Sequence, residues 1–69
     1  MKITGKTICY AIINETGKIT GAVCGPNAER KAISDSSAMR TERMTVGDYI
    51  AKTGRSSGLV APADAQWTV

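Results

Sequence analysis

Apolar and polar positions divide the chain into a few clear elements. Residues 7–14, Thr-Ile-Cys-Tyr-Ala-Ile-Ile-Asn, are rich in β-branched residues and almost wholly apolar. A run that continuous predicts a strand covered on both faces rather than one with a wet side. Residues 18–24 form a second strand-like run, stopped by Gly25-Pro26. Between the two, Asn14-Glu15-Thr16-Gly17-Lys18 predicts a turn, so the first third of the chain reads as an antiparallel β-hairpin.

The turn type decides where the two cysteines fall. A two-residue loop at Thr16-Gly17 would set Cys9 directly opposite Cys24. That loop needs positive φ at both positions, which a β-branched threonine resists. A type I turn closed by Gly17 as a bulge suits these residues better, and it makes Asn14 oppose Lys18. Cys9 then faces Val23. Cys9 and Cys24 would point to opposite faces of the hairpin and could not bridge.

Residues 26–44 carry a weaker pattern. Asn27 is placed to cap a helix over residues 28–34. Ser34-Asp35-Ser36-Ser37 reads as an interruption and a second cap, with Ala38, Met39, Glu42 and Arg43 starting another helical turn. A strand at residues 30–33 is the alternative, because four residues are too few to display a period. The next element is sharper. Thr45 with Asp48 three residues on marks a helix N-terminus, with Met44 and Tyr49 as a hydrophobic staple. Val46, Tyr49, Ile50 and Thr53 share one face, Lys52 lies in the last turn, and Gly54 stands where a helix C-terminus favours glycine. Gly47 inside this helix either marks close approach of another backbone or is simply tolerated at a cost of about 1 kcal/mol relative to Ala. Residues 55–58 form a loop, residues 59–61 a short strand ended by Pro62, and residues 66–69 a final strand. The fold class is therefore α+β: an N-terminal antiparallel hairpin packed with one or two short helices and a short C-terminal strand.

Size and composition then limit what this fold can be. With 69 residues the chain makes a single domain, residues 1–69. Such a domain buries only about 60% of the surface its unfolded chain exposes, and its core supplies ~3–5 kcal/mol. There is no Phe, and Tyr10, Tyr49 and Trp67 are the only aromatics, so Trp67 is expected to be the largest piece of the core. There is also no His, which removes the usual zinc sites and the Ser-His-Asp and Cys-His pairs. A hairpin apolar on both faces needs cover from two sides, and self-association is the natural source of the second layer. A homo-oligomer is the resulting expectation.

The net charge is +3, from nine Lys/Arg against six Asp/Glu. The positives are interleaved with acids along the chain, which is the pattern of a solvated surface more than of a nucleic-acid footprint. Met1-Lys2-Ile3-Thr4-Gly5-Lys6 lacks an apolar signal region, and no run is long enough to span a membrane. A cytoplasmic chain with reduced thiols and no membrane partner is expected.

The chain offers few residues suited to chemistry. Cys24, beside Gly25-Pro26, is better placed as a nucleophile than Cys9, but a small buried hydrophobe is the plainer reading of both. Gly5-Lys6-Thr7 resembles the end of a phosphate-binding loop but leads into a strand and lacks the upstream glycine. Gly54-Arg55-Ser56-Ser57-Gly58 offers amides, hydroxyls and a guanidinium to an anion, yet follows a helix C-terminus, where the dipole repels one. The acids form no pair suited to acid–base work. Neither catalysis nor a cofactor is expected.

Three functions fit what remains. The first is a protein-binding regulator or inhibitor, acting through an exposed strand edge, the helix at 45–54, or both. Accessory proteins of phages and mobile elements that block a host factor have this size and this lack of catalytic residues. The second is a nucleic-acid-binding module using the scattered Arg and Lys. The third is an oligomeric binder of a small phosphorylated ligand. The residues expected to carry partner contacts are Arg40, Arg43, Tyr49, Arg55 and Trp67.

Overall fold

The computed structural model describes residues 1–36 and 38–68. Ser37 and Val69, expected in a cap and in the last strand, lie outside them. In chain order the described residues form β1 (Lys2–Ile3), β2 (Ile8–Ile13), β3 (Ile19–Cys24), α1 (Ala28–Ile33), β4 (Arg40–Thr45), α2 (Val46–Thr53), β5 (Leu59–Val60) and β6 (Gln66–Trp67). The α+β class is as expected. The main sheet has the order β4-β2-β3-β5, antiparallel except for the parallel β3–β5 pair, and β1 and β6 make a separate parallel pair.

The hairpin turn follows its local chemistry. Gly17 N–H donates to the Asn14 carbonyl (2.9 Å), Asn14 N–H donates to Lys18 O (3.0 Å), and Gly17 has a φ of 82°. Asn14 Oδ1 also accepts from the amides of Thr16 and Lys18, each at 3.0 Å. Beyond this turn the register shifts once more. Ile13 opposes Ile19 but Ile12 opposes Gly21, so Thr20 is an extra residue on β3. Its hydroxyl bonds back to Ile12 O at 3.4 Å. This second bulge corrects the expected pairing: Cys9 faces Cys24, not Val23, on the same side of the sheet.

Close backbone packing holds the shifted strand. Ala22 N–H donates to Gly58 O at 3.0 Å. A Cβ on Gly21 would stand 2.9 Å from that same oxygen, so only glycine lets the 56–58 loop lie against β3. Gly47 does mark a close approach. Its N–H donates to Gly5 O at 2.9 Å, and a Cβ there would meet that oxygen at 3.0 Å.

Both helices form, with differences at their edges. α2 matches its sequence signals: Thr45 Oγ1 accepts from Asp48 N–H (3.1 Å), and Gly54, at φ 70°, closes the helix through its N–H to Ile50 O (2.8 Å). α1 occupies residues 28–33, but Asn27 sits at φ 61° and makes no side-chain cap. The strand alternative at 30–33 does not form. The helical turn expected around residues 38–43 is instead β4. Arg40-Thr41-Glu42-Arg43-Met44-Thr45 shows no apolar alternation because an edge strand needs few apolar positions.

α1 packs on one face of the sheet against Ile12 and Val23, with Tyr10 and Ala38 alongside. On the other face, Cys9, Ala11, Ala22, Cys24 and Met44 pack with Ile3 of β1 and with Val46 and Tyr49 of α2. The chain therefore covers both faces of its own hairpin. That removes the physical reason given above for expecting a second subunit there.

Candidate interaction surface

The five residues expected at a partner site fall in four places. Arg40 and Arg43 belong to β4, and strand alternation sends them to opposite faces. Arg43 is exposed beside half-buried Tyr10, its register partner on the α1 side. Arg40 shares its face with Glu42, which pairs with Lys52 of α2 at 3.5 Å. Both arginines are exposed.

β4 is an edge strand. The β2 residues that point their backbone groups toward it are the odd-numbered ones, as shown by Val46 N–H bonding Thr7 O (2.8 Å) and Met39 N–H bonding Ile13 O (2.9 Å). The partners of Cys9, Ala11 and Ile13 are Met44, Glu42 and Arg40, so those three residues make the ladder. The N–H and C=O groups of Thr41 and Arg43 are aimed outward, and no described residue bonds them.

Arg55 lies elsewhere. One guanidinium nitrogen donates to Thr20 O at 3.4 Å. With Lys18 and Lys52 it lines a concavity of about 460 Å³ between the hairpin turn and the end of α2. Three cations surround this space, but Lys52 is already paired with Glu42 and the helix end there is electronegative.

Trp67 is not the core residue that composition implied. It is 48% exposed and borders a smaller concavity of about 260 Å³ with Ile50, Ser56, Ser57, Gly58 and Leu59. The largest fully buried side chain is Tyr49. Its hydroxyl donates to Ser57 O at 2.6 Å, so it belongs to the interior and presents no exposed surface in this fold. The signal separating the two was present in the sequence. Tyr49 lies on the apolar face of a well-capped helix, whereas Trp67 has only Gln66 and Thr68 as neighbours.

The cysteines have the electrostatics of buried thiols. Burial, and then the neighbouring Cys24, push the Cys9 thiol up to about 12. Burial likewise raises Cys24. Neither supplies thiolate at neutral pH, so neither has the reactivity of a nucleophile in this state. Among the described residues no three His, Cys, Asp or Glu side chains come together as a metal site. No helix among them is long and apolar enough to cross a membrane.

The remaining positive charges are divided. Arg30 and Lys31 lie on α1, Arg43 faces the α1 side of the sheet, and Arg40 and Lys52 lie on the α2 side. No family model, no curated protein and no solved structure matches the chain.

Proposed function

We propose that the chain is a non-catalytic binding protein, a regulator or inhibitor, whose contact surface is the outer edge of β4. The observation that carries this reading is the outward-facing, unbonded backbone of Thr41 and Arg43 on a six-residue edge strand. An unpaired edge accepts a further strand through main-chain hydrogen bonds, and side-chain pockets or charges then select which strand. Exposed Arg40 and Arg43 favour an extended segment carrying carboxylates on both of its faces. A partner held mainly by backbone bonds is released little by moderate salt. A duplex DNA ligand would instead weaken with a log–log slope of about −0.9 for each phosphate contact.

The test uses an extended peptide of alternating valine and glutamate as the probe. In a heteronuclear NMR titration, amide shifts are expected at residues 40–45 and in the strand behind them. The Thr41→Pro variant removes an outward donor while leaving the β2 ladder intact, and it should abolish the shifts. Shifts centred on Arg55 or Trp67, or binding unchanged in Thr41→Pro, would overturn the assignment to this edge.

A further inference from the structure

The geometry points to Cys9 and Cys24 as a site of intrachain disulfide formation, a covalent cross-link between β2 and β3 that the folded chain favours. The two residues are direct partners across the hairpin, both buried and both free thiols. Their rung is of the non-hydrogen-bonded kind. Ala22 directs its N–H away from β2, to Gly58, so the Ala11–Ala22 rung lacks ladder bonds, and alternation gives Cys9–Cys24 the same character. In such a rung the Cα atoms are about 4.5 Å apart and the side chains at their closest. A disulfide needs Cα atoms about 4.4–6.8 Å apart.

The position within the hairpin supplies the route of oxidation. Cys9–Cys24 is the outermost pair of the β2–β3 register, at the open end far from the turn, and Cys24 is the last residue of β3 before Gly25 at φ 98°. Strand ends open at lower free energy than strand centres. On opening, one thiol ionises and attacks a low-molecular-weight disulfide, RSSR, forming a mixed disulfide and releasing RS⁻. The second thiolate then attacks the protein sulfur of that mixed disulfide and expels the other RS⁻. Two protein thiols and one RSSR thus become one protein disulfide and two RSH, with the two thiol protons passing to the leaving thiolates.

The bond links positions 9 and 24, and the bulge at Thr20 is what makes them meet. Without it Cys24 would sit on the other face, as the turn alone implies. A cross-link the fold favours must in turn stabilise the fold by the same factor.

The experiment equilibrates the full chain with mixtures of reduced and oxidised glutathione, in native buffer and in concentrated guanidinium chloride. Intact mass, read after acid quench, gives the effective concentration of the two thiols in each state. The native value should exceed the denatured one by roughly a hundredfold, and the oxidised monomer should melt roughly 10 °C higher or more. A ratio at or below one overturns the proposal. Val23→Cys/Cys24→Val shifts the second thiol by one residue, to the opposite face, with almost the same loop length. It should lose the native advantage, and a variant that oxidises as favourably as the parent would overturn the register on which the site rests.

Discussion

The Tyr49 hydroxyl donates a 2.6 Å hydrogen bond to the carbonyl of Ser57, across the loop that leaves α2. This bond joins the largest buried side chain to the segment whose next residue, Gly58, supplies the acceptor for Ala22 of β3. Helix, loop and sheet are thereby fastened at one point. Tyr49→Phe keeps the ring and removes only this bond, for a cost of about 1 kcal/mol. The melting midpoint should fall by roughly 4–8 °C. Amide exchange should quicken at residues 55–59 more than in β2. Uniform acceleration would show that the bond does not tether the loop.

Alkaline pH should unfold the chain through its thiols. Burial raises Cys9 from 9.0 to about 12 and shifts Cys24 in the same direction. Below pH 9 the thiol is protonated in both folded and unfolded states, and stability does not depend on it. As pH rises from about 9 toward 12, the unfolded chain loses the proton while the folded chain keeps it. Stability therefore drops by about 1.4 kcal/mol per pH unit for Cys9. Urea titrations of the parent and of Cys9→Ala across this range should diverge, the parent falling more steeply. Parallel curves would remove the thiol as the cause.

The β4 edge is charged in a way that resists copies of itself. A two-fold antiparallel pairing must keep each face continuous, so its two longest registers bring Glu42 against Glu42 or Arg43 against Arg43 of the second chain. Like charges in direct opposition are destabilising. Sedimentation should show the parent gaining no dimer through this edge. Glu42→Val/Arg43→Val removes both repulsions and leaves a β-branched edge, and should self-associate in the micromolar range. A monomeric double variant would show that something other than charge protects the strand.

Two elements were legible in the sequence because their signals are local. The hairpin turn is specified by Asn14 and Gly17, and α2 by Thr45, Asp48 and Gly54, all within a few residues of the bonds they make. What escaped reading depends on distant partners. The bulge at Thr20 goes with Gly58 and Arg55 lying against β3, and the turn has no information about either. β4 is an edge strand that buries Met44 well and little else, so its pattern is not that of a core strand. β1 is specified by nothing near it: Lys2 and Ile3 pair with Gln66 and Trp67 at the far end of the chain. For the same reason Arg40 and Arg43 were identifiable as candidates, but the edge strand on which both lie was not.

The parallel pairing of β1 with β6 also fixes how the molecule responds to a pull. Gln66 donates to Met1 O at 2.7 Å and Thr68 to Ile3 O at 2.8 Å. Force applied to the amino end of β1 and the carboxyl end of β6 runs along both strands in opposite directions, because parallel partners begin at the same end. These bonds are then loaded together in shear and must give way as a set, unlike a hairpin, which opens one rung at a time. Short as it is, this clasp stands between an external tension and the core, and Ile3, fully buried beneath it, leaves its place only after the clasp has failed.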